Sequence, residues 1–139
     1  MADSLALSPA SVGIYALLNV ASLTALATGG IYDTVPQGVT FPFVFYEVDE
    51  RDVRGFGTSG LPEVAIRVHA YSTSEKMSVA QAMLAKAIEL LKDKALTVSG
   101  YTMCGHVFYD QTVVLPTEMI NGIACHELVA LFRAYVEEA

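Results

Sequence analysis

Cys104, His106, Cys125 and His126 are the residues of this sequence best equipped for chemistry, because thiolate and imidazole both ligate zinc and both serve as nucleophile or base. Their spacing argues against a shared ion. Cys104 and His106 stand at i and i+2 and share one face of a strand, whereas adjacent Cys125 and His126 point to opposite faces, so a closed tetrahedral site would require a bulge. The C-x2-C-type spacing that usually marks structural zinc does not occur. As nucleophiles the two thiols fare no better: both fall within strand patterns, where free cysteine is expected as a small buried hydrophobe.

Asp49, Glu50 and Asp52 offer paired carboxylates of the kind used in acid–base hydrolysis, but on a loop they have no pocket to raise one pKa. They read as a solvated acidic tip, as do Glu137 and Glu138. The stretch from Gly55 to Gly60 is glycine-rich but lacks the lysine and helix that follow a phosphate-binding loop. Arg67 and His69 lie on the wetter face of a strand, where Glu47 and Glu127 on neighbouring strands are expected cross-strand partners. Nucleophile-elbow, zincin, Walker and dinucleotide motifs are all missing from the sequence. The residues therefore predict no catalytic, cofactor-binding or metal site. The nearest enzymatic alternative is a small α+β ligand-binding protein or hydrolase using His106 or His126 with a nearby carboxylate.

The bulk properties point the same way. A chain of 139 residues has the length of one domain, taken as residues 1–139, and can bury about two-thirds of its unfolded surface. With 53% hydrophobic and 17% charged residues it is apolar for a globular protein, so part of that apolar surface is expected to face a partner. The net charge of −7 repels phosphate, and no lysine or arginine precedes Arg51, which disfavours nucleic-acid binding and a basic membrane anchor. Two cysteines are too few for a disulfide scaffold and fit a reducing compartment. The uncharged stretch Ser4 to Tyr32 carries an acid, Asp3, where a signal peptide needs bases, and Pro9, Asn19 and Ser22 interrupt it. It is read as a packing helix, neither an export signal nor a membrane span.

That helix is expected to start at Ser8-Pro9, as cap and first helical proline, and to bury Ile14, Leu17, Leu18 and Ala21. Ser22 should cap a last turn that ends at Gly29-Gly30, with Ile31-Tyr32-Asp33 extended and Thr34 to Pro42 a loop. Phe43 to Val48 reads as a strand, the segment Asp49 to Gly60 as a hairpin tip, and Glu63 to Ser72 as an alternating strand that buries Val64, Ile66, Val68 and Ala70. Ser72 to Glu75 should cap a second helix with the stripe Val79, Ala80, Met83, Leu84, Ala87, Ile88 and Leu91. Thr102 to Val114 and Ile123 to Val136 are the third and fourth strands, joined by a turn on Pro116, Asn121 and Gly122; the even positions of the last, Ala124 to Val136, are nearly all apolar. The expected fold is α+β, an antiparallel sheet of about four strands with two α-helices packed on one face.

Several short segments, taken in order, also resemble a known family: Leu23-Thr24-Ala25-Leu26, Gly30-Ile31-Tyr32-Asp33, Pro36-Gln37-Gly38, Phe41-Pro42-Phe43-Val44, Arg67-Val68-His69-Ala70-Tyr71-Ser72, the helix near Ala80 and Leu131-Phe132-Arg133-Ala134. The chain resembles the tail completion, or tail terminator, proteins of long-tailed bacteriophages over nearly its whole length. The tract Asp49-Glu50-Arg51-Asp52 departs from the pattern. The resemblance implies a virion protein made in the host cytoplasm, a homo-oligomeric ring, usually of six copies, at the head-proximal end of the tail. Its implied partners are the major tail tube protein and the head–tail connector or stopper, and DNA would pass through the lumen without specific binding. The carboxylates Asp49, Glu50 and Asp52 are expected to line that lumen, and the loop Val53 to Gly60 to become ordered on a neighbour. A head-closure or neck protein of the same junction is the alternative reading within virions.

Overall fold

The computed structural model describes residues 7–52, 62–73, 77–120 and 122–138. Its elements are helix α1 (Leu7–Leu18), the short helix α2 (Ala21–Thr24), strands β1 (Ile31–Tyr32), β2 (Phe43–Asp52) and β3 (Pro62–Ser72), helix α3 (Ser78–Leu91), and strands β4 (Tyr101–Met103), β5 (Phe108–Val114), β6 (Glu118–Ile120) and β7 (Ile123–Glu138). The α+β class matches expectation, but the sheet has seven strands and is mixed. Strand β1 pairs parallel to β2, while β2–β3, β3–β7 and the pairings of β4, β5 and β6 with β7 are antiparallel.

The extra strands follow from the length of β7. Its 16 residues run about 53 Å at 3.3 Å per residue, more than any one neighbour spans. One edge of β7 pairs with β3; three short strands tile the other, β6 at its start, β5 in the middle and β4 at its end. The expected single strand from Thr102 to Val114 is thus two strands. Gly105, at φ +91°, turns the chain out of β4, and Val107 drops into the core, where its N–H donates to Lys94 O at 2.9 Å and its carbonyl accepts from Asp93 N at 2.9 Å.

Residues directly opposite one another in neighbouring strands share a face. The row Val48, Ile66, Phe132, Tyr109 crosses β2, β3, β7 and β5, with Tyr46, Val68 and Ala130 in the next row and Val44, Ala70 and Leu128 in the one after. This face is buried beneath the helices. Helix α3 lies over β3 and β7 through Ala80, Met83, Leu84, Ala87 and Leu91, spaced as one stripe. Helix α1 lies over β1 and β2 with Ala10, Ile14 and Leu18 inward.

Three expected helix caps are misplaced. Helix α1 already includes Leu7, so Pro9 sits inside the first turn, where its missing N–H costs no bond. Val20 precedes α2 in extended conformation without a side-chain cap bond, and Ser22 is within the helix. Ser72 is a buried strand residue, Thr73 precedes a gap in the described chain, and Met77 precedes α3; Ser74 and Glu75 lie outside the described residues.

Two glycines permit close backbone contacts. A Cβ on Gly13 would stand 2.2 Å from Thr97 O, so α1 can rest on the segment that buries Leu96 and Val98. A Cβ on Gly29 would stand 1.6 Å from Thr40 O. There the Gly29 N–H donates to Pro42 O at 2.7 Å, and Val44 N donates to Gly30 O at 3.0 Å, which fixes where β1 meets β2. Replacing Gly29 with alanine is expected to cost at least about 2 kcal/mol, since the obstruction is backbone and cannot rotate away. Urea unfolding of the variant measures this; an unchanged midpoint would show that the contact opens at no cost.

Candidate functional site

Strand alternation sends every second residue of β2, β3, β7 and β5 to the face that the helices leave uncovered. Its rows are Phe43, Tyr71, Glu127; then Phe45, His69, Val129, Val113; then Glu47, Arg67, Leu131, Gln111; then Asp49, Ala65, Arg133, Phe108. The charged groups expected on a wet strand face form one connected network here. His69 contacts Glu47 Oε1 through Nε2 at 2.7 Å and Glu127 Oε2 through Nδ1 at 2.8 Å, with its side chain only 13% exposed. Arg67 Nε donates to Glu47 Oε1 at 3.3 Å and its Nη1 to Asp49 Oδ2 at 2.5 Å. Tyr71 donates its hydroxyl to the same Glu127 oxygen at 2.8 Å.

Only the imidazolium form of His69 donates to both carboxylates; in either neutral tautomer one ring lone pair faces a carboxylate oxygen. Burial pushes the Glu47 carboxyl up, but the hydrogen bonds and charges of His69 and Arg67 outweigh it and hold the carboxyl below its ordinary value. Burial also pushes the Tyr71 phenol up, and the neighbouring Glu127 carboxylate adds to the shift.

Aromatic rings continue the network towards one end of the sheet. Phe45 stacks on His69 at 5.2 Å between centroids, Phe43 on Tyr71 at 4.8 Å, and Phe41 packs on Phe43 at 5.0 Å. Phe41, Phe43 and Tyr71 line one part of an open groove of about 410 Å³, and Leu115, Glu118, Cys125 and Glu127 are also in its lining. A second groove, of about 310 Å³, lies where Arg67 and Arg133 meet Asp49, Glu63 and Asp110. Arg133 is tied there to Asp110 at 3.1 Å, the extra residue of a bulge in β5.

Asp49 and Glu50 therefore belong to a strand and not to a loop tip, and Asp49 is ion-paired with Arg67. The side chain of Asp52 and the loop Val53 to Gly60 lie outside the described residues. Glu137 is also a strand residue, at the end of β7; the side chain of Glu138 lies outside the described residues.

The thiols and imidazoles are dispersed. Cys104 N bonds to Tyr135 O, ten residues along β7 from Cys125, a separation of about 33 Å of extended strand. His106 is exposed beside Asp93 at 3.4 Å. Cys125 and His126 do face opposite sides, Cys125 into the aromatic groove and His126 into the helix side, buried, with Nδ1 3.0 Å from Thr117 Oγ1. Neither cysteine is fully buried, contrary to expectation: Cys104 lies just beyond β4, and Cys125 is partly open to the groove. Among the described residues no group of three His, Cys, Asp or Glu side chains could hold a metal ion. No described helix is long and apolar enough to cross a membrane. Sequence reasoning missed the aromatic groove, because Phe41, Tyr71, Glu118 and Cys125 come from four separate segments and only their packing assembles it.

Because Glu47 titrates below its ordinary value in the fold, its contribution to stability is complete above that value of 4.5 and is lost as pH falls through the folded-state value. Glu47→Gln should therefore flatten the acid limb of a stability–pH curve measured by urea unfolding. Parallel curves for the two proteins would show that the network does not favour the ionised carboxylate.

Three comparisons bear on what such a face belongs to. The chain superposes on a chain of a solved structure described as the virion of a native gene transfer agent particle, with TM-score 0.78 and 22% identity, covering 96% of this chain and 99% of that one. At that identity the likeness shows a shared fold. No curated protein matches the sequence. The family model described as tail completion protein gp17 matches residues 14–118, a span running from within α1 to the first residue of β6 and including β2, β3 and most of the groove lining. With three-quarters of its length matched, the chain belongs to the gp17 family of tail completion proteins.

Proposed function

We propose that this chain assembles into a ring, of six copies, at the head-proximal end of a phage tail tube, where it ends tube polymerisation and presents the surface that joins the head. The observation that carries the reading is the family match, and the distribution of exposed apolar side chains supports it. A closed ring is built from heterologous contacts, so each protomer needs two unlike patches on different sides. One patch lies on α1, which covers the β1–β2 side of the sheet and exposes Val12 at 68% and Tyr15 at 42%. Another lies at the opposite edge, where Val114, Met119 and Ile123 of β5, β6 and β7 are exposed at 54% or more.

The remaining parts of the reading follow from charge and from the lack of reaction machinery in the sequence. A net charge of −7 disfavours adhesion of DNA moving through a lumen, by like-charge repulsion. The partners are the tail tube protein on one side and the head–tail connector on the other.

Electron microscopy of tails assembled with and without the protein tests the role: overlong or headless tubes are expected in its absence, and normal tubes that still join heads would refute it. Met119→Glu and Val12→Glu should each change folding stability by no more than about 0.5 kcal/mol, as exposed substitutions do. Each should nonetheless block ring formation by placing a charge in an apolar contact. Tails completed normally by both variants would remove the two patches from the interface.

A further inference from the structure

The groove on the uncovered sheet face has a composition that specifies an occupant. Phe41 and Tyr71, both part-exposed and packed on the buried Phe43, offer ring surfaces, and two carboxylates, Glu118 and Glu127, stand in the same lining. Glu118 is exposed and has no ion-pair partner among the described residues, and Glu127 spends one of its two oxygens on His69 and Tyr71. The negative field reaches Cys125, whose thiol is pushed up by burial and then by the Glu118 and Glu127 carboxylates. A planar cation satisfies such a site best: guanidinium stacks on aromatic faces and meets a carboxylate with paired N–H donors, whereas ammonium does only part of this.

We infer that this groove receives an arginine side chain from a different polypeptide. Within a second copy of this chain Arg67 and Arg133 are already held by Glu47, Asp49 and Asp110. With 15 acidic against 8 basic residues, the chain has a negative field that favours a basic partner of different composition. That the other polypeptide is a tail or head component rests on the proposed function; the arginine does not.

The test is an NMR titration of the full-length, ¹⁵N-labelled protein with the capped peptide Gly-Arg-Gly, and with Gly-Lys-Gly and Gly-Gln-Gly as comparisons. Saturable shifts at the amides of Phe43, Tyr71, Cys125 and Glu127 are expected with the arginine peptide, weaker ones with lysine and none with glutamine. Glu118→Gln and Phe41→Ala should each weaken arginine binding roughly threefold to tenfold while the rest of the spectrum stays in place. Equal response to lysine or glutamine, shifts scattered over the surface, or wild-type binding by both variants would overturn the assignment. Movement of the same amides with protein concentration alone would give the groove to a second copy and overturn it as well. Failure of the titration leaves tube termination standing, and normal tubes without the protein leave the titration standing.

Discussion

Strand β7 pairs along both edges at once, with β3 from Ser72 to Glu63 on one side and with β6, β5 and β4 in succession on the other. Its register therefore decides which side chains of five strands meet the helices. Because strands alternate with period two, a slip of one residue would turn Leu128 and Phe132 outward and bring Glu127, Leu131 and Arg133 beneath α3. Exposing Leu128 and Phe132 alone costs about 3–6 kcal/mol. That is a large share of the 5–15 kcal/mol by which domains are normally stable, so the apolar pattern of β7 fixes the pairing and the pairing fixes the rest.

The same alternation obliges the other face to exist, and its chemistry answers the problem of an open sheet. Arg67 and His69 share Glu47, and the network extends to Asp49 at one end and to Glu127 and Tyr71 at the other. The Arg67–Asp49 pair, at its exposed end, contributes little to stability. The network's larger effect is on what the face can meet: half-buried apolar residues such as Phe45 and Leu131 are interspersed with charges already committed to one another, which discourages indiscriminate sticking. The β5 edge is handled similarly, with a bulge at Asp110 and the Asp110–Arg133 pair disturbing what would otherwise be a template for a foreign strand.

Core packing and exposed apolar surface fall on different atoms of this chain. The buried cluster joins both long helices and the central strands into one core, while exposed apolar side chains collect on α1 and at the β5–β6 edge, outside it. Substitutions at these exposed positions are expected to have little effect on folding.

Local pattern was enough to place the core of β2, β3, α3 and β7, because burial on one side leaves a readable period: Val64, Ile66, Val68 and Ala70 at two, and Ala80, Met83, Leu84, Ala87 and Leu91 at helical spacing. Glu47 and Glu127 as partners of Arg67 and His69 were legible too, since acids on neighbouring strands were few, whereas Asp49, read as a loop residue, was not foreseen as the partner of Arg67. The caps at Ser22 and Ser72 were misread because neighbouring strands and packing, not side-chain caps, set where those helices begin. The break at Gly105, the short strands β1, β4 and β6, and the parallel pairing of β1 depend on which chain segments lie beside a 16-residue strand and beside β2, information carried by no window of sequence. The aromatic groove belongs to the same class. Its lining comes from β2 and the loop before it, from β3, from the link between β5 and β6, and from β6 and β7, so the sequence by itself determined what each strand buries, and only the tertiary structure decided what the uncovered face brings together, because that depends on register across strands far apart in the chain.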